Sequence, residues 1–307
     1  IRKRSGQATL TRRIDYSYNS TRTLMTRETI EPAISSLRIT KDYLYDGYGN
    51  ITRTTLSGNN GYGSETRIKQ FAYDSRGRFQ TRKTNELGHT RNDVYDNLHG
   101  NVTQSTGPNG IKTTYTYDAF GRKLTQYTPG GGTITYTYAR ISSGNEIYYV
   151  QEAAQGKPTQ RTYYDVLGRE TRMLRKGFSG SWIYQTNIYD SRGRLWKMSE
   201  PYYSGTSAKY TVYEYDALHR MTRETAPGSR VRTISYNGLT QTITNPNGQQ
   251  LIEKRDAIGN LLQTTNHIGK HTYQYYDSFD NLIEIRDGNG TRSYLQYDLL
   301  GRKTRIQ

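Results

Sequence analysis

The sequence predicts an all-β chain, a spiralling antiparallel ribbon of β-hairpins that is hollow-barrel or solenoid-like. Three observations carry the prediction. A Tyr-Asp dipeptide recurs nine times along 307 residues. Each copy closes a short stretch of alternating side chains, which places every second residue on one face of a strand. The composition agrees: 30 Tyr and 30 Gly stand against only 5 Phe and 2 Trp, and Tyr and Thr favour strands as Gly favours turns. Regularly spaced aromatics argue against disorder, in spite of a mean hydropathy of −0.94.

The dipeptides set the register of the array. They are Tyr45-Asp46, Tyr73-Asp74, Tyr95-Asp96, Tyr117-Asp118, Tyr164-Asp165, Tyr189-Asp190, Tyr215-Asp216, Tyr276-Asp277 and Tyr297-Asp298. Degenerate copies at Tyr18-Asn19, Tyr138-Ala139, Tyr236-Asn237 and Arg255-Asp256 bring the count to about thirteen, mostly 19 to 28 residues apart. That spacing is the period of a repeat array, and it predicts one repeat domain over residues 1–307.

Within a unit, the strand comes first and the Asp opens a turn, because its side chain accepts backbone N–H groups two residues on. A glycine follows at the third position after Asp, as Gly49, Gly77, Gly121, Gly168, Gly193 and Gly301. A glycine at a constant turn position implies positive φ. His99, His219 and Asp280 replace it in three units, and Gly100 follows His99, so that turn is one residue longer. Next comes Arg122 or its equivalent, or Asn50, in place to pair with the Asp. A second strand runs out to a turn such as Pro108-Asn109-Gly110, Pro246-Asn247-Gly248 or Asp287-Gly288-Asn289-Gly290. These read as two-residue hairpin loops with both central residues at φ > 0.

The irregular stretches are few. Residues 27–36, with Pro32, read as a long loop with room for a short helix. The wide interval between Asp118 and Tyr164 reads as an elongated hairpin. Strands lie ~4.8 Å apart, so a continuous sheet of this many strands would run on the order of 125 Å and must coil. Closed once, it would be roughly 40 Å across, too wide for side chains to fill.

Candidate sites are weighed against the copy number. Each repeated Asp has a turn to make, so none stands out as an acid or base; catalytic, cofactor and metal residues are all expected to be none. His267 and His271 lie four apart but on either side of a Gly-Lys turn, where they would face each other across a hairpin. The Tyr residues read as a stacked cross-strand ladder that holds a thin wall together. Net charge is +16, which suits anionic glycans, nucleic acid or acidic cargo. Because Arg is a letter of the repeat and the basic residues are spread, nucleic acid is disfavoured. There is no cysteine, so no disulfide or Cys-bound metal staples the chain. No apolar run has the length of a membrane span. Ile1-Arg2-Lys3-Arg4 lacks the apolar stretch of an export leader. The chain is read as a segment of a longer one, with its targeting signal elsewhere.

The pattern Tyr-Asp-x-x-Gly-Arg, best written in residues 115–125 and again in residues 294–304, resembles the YD repeat of the Rhs family, and in particular the YD-repeat shell of bacterial toxins such as the Tc toxin B component. The resemblance implies a ribbon wound into a hollow cocoon around a C-terminal toxin or effector polypeptide, together with the remainder of the shell. It implies a non-catalytic, secreted or cell-surface bacterial protein. The acidic self-cleaving segment of full-length relatives has no counterpart here, so no catalytic residue is carried over. Related wall-associated proteins supply the alternative, an extracellular adhesion or glycan-binding array.

Overall fold

The computed structural model describes residues 13–141 and 144–307. The expectation about a leader at Ile1-Arg2-Lys3-Arg4 lies outside them. The described residues form 27 strands, from Ile14–Tyr18 to Lys303–Ile306, with no helix among them. Pairing is antiparallel and runs between sequence neighbours, except that the short strand Tyr202–Tyr203 pairs with Trp182–Tyr189 while Leu195–Ser199 pairs past it with Tyr210–Tyr215. Lys112–Tyr117 pairs with Lys123–Thr128, which pairs in turn with Gly132–Arg140. The all-β hairpin prediction therefore holds. The chain divides into two compact units. One comprises Ile1–Gly110, Lys254–Thr265 and Gly269–Gln307; the other comprises Ile111–Glu253 and Asn266–Ile268.

The interval after Asp118 forms long strands as expected, Gly132–Arg140, Glu146–Ala154 and Lys157–Asp165. Residues 27–36 differ from the expectation. Met25–Ile30 is a strand paired with Ile39–Tyr45, and only residues 31–38 form turns. The alternation of Met25, Arg27 and Thr29 with their neighbours is strand-like, and Pro32 falls just outside it, where its missing N–H costs no ladder bond.

Register explains how a hydrophilic chain folds. In the second unit, Tyr213, Tyr215, Ile234, Tyr236 and Ile243 share one face of neighbouring strands, while Val212, Thr225, Thr233, Ser235 and Thr242 share the other. The first face is largely aromatic and aliphatic, with the Glu224–Arg232 ion pair between Tyr213 and Ile234; the second mixes Thr and Ser with Val212, Glu214, Arg223 and Val231. The long strands carry an extra cluster on the second face, where Tyr149 stands opposite Tyr163 and Leu174 opposite Tyr184. Tyr163 and Leu174 are buried there. The other buried apolar side chains among the described residues are Ile39, Tyr43, Ile234 and Leu295.

Each Tyr-Asp strand ends in the same dislocation. Tyr117 faces Lys123, but Thr116 faces Thr125, so one extra residue sits on the second strand. The same shift occurs beside Tyr45, Tyr73, Tyr95, Tyr164, Tyr189, Tyr215, Tyr276 and Tyr297. A bulge of this kind leaves backbone groups outside the ladder.

Candidate functional site

The repeated turn brings charged side chains together again and again in one arrangement, so the site is built from it. At Asp118, the backbone N–H donates to Arg122 O at 2.9 Å and Gly121 N–H donates back to Asp118 O at 3.0 Å. This is a three-residue loop whose last member is left-handed: Gly121 has φ +75°. One carboxylate oxygen accepts the N–H groups of Phe120 and Arg122, both at 2.9 Å. The other accepts Arg122 Nε at 2.7 Å. Arg169, Arg194, Arg220 and Arg302 repeat that bond to Asp165, Asp190, Asp216 and Asp298 at 2.7 Å. Asn50 and Asn281 substitute with their amides on Asp46 and Asp277, at 3.1 and 2.8 Å. Arg78 is looser on Asp74, at 3.4 Å.

The glycine variants follow the backbone requirement. Gly49, Gly77, Gly168, Gly193 and Gly301 have φ between +66° and +86°, and His219 and Asp280 each hold +64°. In the Asp96 turn the left-handed residue is Gly100, and Asp96 N–H reaches on to Asn101 O, so that turn is one residue longer.

The carboxyls answer to these bonds. In Asp118, Asp165 and Asp190 burial pushes the carboxyl up, but the N–H donors and the Arg outweigh it and hold it below the ordinary carboxylate value. In Asp216 and Asp298 the Arg backbone N–H is the largest influence, in the same net direction. A carboxylate held ionised by its own turn is a poor proton donor or acceptor near neutral pH. Among the described residues no group of three His, Asp or Glu is placed to hold a metal ion.

The Tyr side chains do something the sequence did not disclose. Cross-strand Tyr pairs form in part of the array, as Tyr148–Tyr164, Tyr149–Tyr163 and Tyr184–Tyr202, but nine other Tyr hydroxyls reach back one repeat. Tyr215 donates its hydroxyl to Leu195 O at 2.7 Å, Tyr189 to Glu170 O at 2.8 Å, and Tyr297 to Leu282 O at 2.8 Å. Tyr45, Tyr73, Tyr95 and Tyr276 make the same bond to Met25, Ile51, Gln80 and Leu261. The degenerate copies Tyr138 and Tyr236 make it to Lys123 and Met221. Each acceptor, Met25 included, is the first strand residue after the preceding turn, and Met25, Ile51, Gln80, Lys123, Glu170, Leu195, Met221 and Leu282 lie beside the bulge. The Arg of that turn lies over the same ring: Arg194 over Tyr215 at 4.8 Å, Arg169 over Tyr189 at 4.5 Å, Arg122 over Tyr138 at 4.7 Å and Arg220 over Tyr236 at 4.2 Å. Burial raises the phenols of Tyr189, Tyr215 and Tyr297 above their usual value, which keeps them protonated as donors. Arg therefore serves twice, closing its own turn and clasping the next repeat. Tyr164 departs from this and stacks on Tyr148 with centroids 4.9 Å apart.

The turns at the opposite edge also differ from expectation. Gly248 N–H donates to Asn245 O, and Asn245 N–H to Gln249 O. Asp287 with Gly290, and Asn85 with Gly88, repeat this. These are three-residue loops with one left-handed glycine, not two-residue loops with two such residues, because Asn or Asp at the first position supplies the same side-chain acceptor as the Tyr-Asp turn. The spacing Asn/Asp-x-x-Gly is visible in the sequence at Asn85, Asn245 and Asp287 and is the signal that identifies them. His271 stands opposite Thr265, with Nδ1 2.8 Å from Thr265 Oγ1, so the hairpin partner is Thr265 and not His267. The ladder register, one residue out from the expected turn, decides this.

The Asp277 turn is engaged at its tip by the far end of another hairpin. Within the first unit, residues 277–281 meet the end of the hairpin formed by Ile51–Asn59 and Ser64–Tyr73. Ser278 N–H and Oγ donate to Asn59 O at 3.0 and 2.6 Å. Phe279 lies against Arg67, 4.1 Å from guanidinium carbon to ring centroid. Gly58 is required there, since a Cβ would fall 2.5 Å from Ser278 Oγ. Asp277 is only 6% exposed. Burial raises its carboxyl, against the bonds from Asn281 and the Phe279 N–H and the charge of Arg67.

Comparison with known proteins agrees with this geometry. Residues 95–134, 255–292 and 276–307 match the RHS Repeat family. A search of curated proteins finds no match. Among solved structures, the fold is similar to TcdB2-TccC3, with 14% identity, a TM-score of 0.57 and coverage of 96% of this chain and 22% of that one. It is similar to TcdB2-TccC3-Cdc42 at 14% identity and TM-score 0.51, over 96% of this chain and 21% of that one. The Photorhabdus luminescens Tc holotoxin pore gives 16% identity and TM-score 0.50, over 87% of this chain and 18% of that one. The chain thus spans about a fifth of the chains it resembles. Residues 95–134 and 255–307 match Rhs repeats, and the fold is similar to that found in Tc toxin structures.

Proposed function

We propose that this Rhs-repeat chain is a wall segment of a toxin-type shell, a non-catalytic ribbon that encloses an effector polypeptide with the rest of the wall in a secreted bacterial toxin. The inter-repeat clasp carries the reading. A phenol on a bulge carbonyl and a guanidinium over the same ring give cohesion within one layer, where a deep core is not available. Enclosure by such a wall is steric: it separates the cargo from solvent and proteases without chemistry of its own. The turn carboxylates support the non-catalytic part, since their lone pairs are committed to backbone N–H groups and Arg. The rival glycan-binding reading needs open aromatic faces, and one face of Tyr138, Tyr189, Tyr215 and Tyr236 is taken by an Arg.

The experiment is electron cryomicroscopy of the gene product that carries these residues, joined to a protease-protection assay on its effector. The expected outcome is wall density around a lumen, with an effector that resists protease until denaturant opens the wall. A solid particle, or an effector digested as fast as the free polypeptide, sinks the proposal.

A further inference from the structure

Tyr164 is set apart from the clasping tyrosines, because its ring lies on that of Tyr148. The two stand directly opposite each other on the hairpin of Glu146–Ala154 and Lys157–Asp165. Their centroids are 4.9 Å apart and the ring planes are 14° from parallel. Near-parallel rings at this spacing bring carbon atoms of the two rings within about 4 Å of each other. The ladder fixes that approach, since both rings rise from one face of paired residues. Both residues are half-buried, which leaves the stack in reach of solvent. The chain has 30 Tyr and no Cys, so a disulfide is excluded and phenol coupling is open to it.

Two other opposed pairs give a comparison. Tyr149 and Tyr163, next along the same hairpin but on its other face, are 5.3 Å apart and tilted by 42°. Arg161 lies 5.1 Å from the Tyr149 ring centre, and Arg172 lies 4.2 Å from that of Tyr163, which is buried. Tyr184 and Tyr202 are 5.6 Å apart, and the Tyr202 hydroxyl is 3.1 Å from Thr186 Oγ1. A cation over a ring opposes removal of an electron from it. At Tyr164 the balance is reversed. Burial first, and then the carboxylate of Glu170, raise its phenol above the usual value, and that negative charge favours loss of an electron. Arg140 stands beside Tyr148 in the ladder but is exposed, where water and salt screen its charge.

We infer that Tyr148 and Tyr164 are an oxidative modification site, at which a one-electron oxidant joins the two rings as dityrosine and staples the hairpin covalently. Each phenol gives up one electron and one proton. The two radicals form a carbon–carbon bond between ring positions next to the hydroxyls. Each joined carbon then passes its hydrogen to its own phenol oxygen and the rings regain aromaticity. The pair loses two hydrogens in all, and one hydrogen peroxide, spent through a haem peroxidase, takes them up as two waters. The staple depends on the hairpin alone and is independent of the shell reading.

The test is treatment of the dilute 307-residue chain with a haem peroxidase and hydrogen peroxide, then isolation of the monomer, trypsin digestion and mass spectrometry. Cleavage after Arg140, Arg161 and Arg169 leaves Tyr148 and Tyr149 on one peptide and Tyr163 and Tyr164 on the next. The expected product is these two peptides joined, two hydrogens lighter than their sum, with fragmentation placing the bond between Tyr148 and Tyr164. Fragmentation assigns the bond in the wild type, without a variant. Tyr148→Phe and Tyr164→Phe, which keep the stacked ring, should each abolish the joined product, and Tyr149→Phe should leave it. Two peptides that remain separate, while exposed tyrosines such as Tyr48 and Tyr203 are oxidised, overturn the inference. So does a bond placed between Tyr149 and Tyr163, or a joined product that survives Tyr148→Phe.

Discussion

Tyr215→Phe isolates the clasp. The substitution keeps the ring under Arg194 and removes one bond, the 2.7 Å hydroxyl contact to Leu195 O. Both ends are part-buried, so the lost bond is worth about 1 kcal/mol net, with the stranded carbonyl drawing the figure toward the upper end of the usual range. A repeat array is stabilised mainly by nearest neighbours, so the loss should stay local. Native-state hydrogen exchange reads this directly. Amides of Leu195–Ser199 and Tyr210–Tyr215 are expected to exchange roughly 5-fold faster, the factor that about 1 kcal/mol corresponds to. Distant strands such as Ile39–Tyr45 should be unchanged. Tyr203→Phe, at an exposed tyrosine, is the control and should do nothing. Equal exchange in wild type and Tyr215→Phe would refute the clasp as a source of cohesion. A uniform acceleration across all strands would refute the local, neighbour-to-neighbour account.

Further outcomes follow from the turns and the docked tip. Gly121→Ala places a Cβ on a residue at φ +75° and should destabilise by about 1–2 kcal/mol, whereas His219→Gly removes such a Cβ at φ +64° and should stabilise by up to about 1 kcal/mol; denaturant titration reads both. Gly58→Val should cost about 1–3 kcal/mol by overpacking against Ser278 and Ile39 and should make residues 277–281 newly sensitive to limited proteolysis. The carboxyls predict opposite pH trends. Asp118 and Asp190 sit below their unfolded value, so their contribution is full above that value and fades as pH falls through the lower folded one. Asp277 sits above its unfolded value, so its charged form opposes docking, and acid, which neutralises it, tightens the contact. Asp277→Asn should therefore keep the docked turn at neutral pH and remove this acid gain in thermal melts, while Asp118→Asn should lower stability at pH 7 and leave less to lose in acid.

Much of this molecule is local, and what is local can be read from the chain. A strand that ends in Tyr-Asp, a carboxylate that gathers N–H groups two and four residues on, and a glycine at positive φ are decided within five residues, so their recurrence identifies hairpins, turns and repeat type. The pairing of Arg122 with Asp118 is legible for the same reason. Residues 27–30, by contrast, read as part of a loop only if Pro32 outweighs the period-two pattern, and the strand Met25–Ile30 shows that it does not. The loops at Asn245 and Asp287 take their length from the Asn or Asp three positions before the Gly, a stronger signal than Asn-Gly alone.

What the tertiary structure alone decided concerns partners 15 or more residues apart. Nothing in a Tyr specifies whether its ring meets another Tyr or its hydroxyl meets a carbonyl; the bulge beside Lys123 or Leu195 decides, by turning a backbone group out of the ladder toward the next repeat. Nothing in Phe279 distinguishes it from Phe120. One is held against Arg67 and the other is exposed because Gly58 and Asn59, the latter 219 residues before Ser278 in the chain, lie at one tip and not at the other. The sequence by itself determined the repeating unit, since that follows from backbone geometry over a few residues. How units hold one another, and which tip is engaged, depends on distances through space that no local pattern encodes.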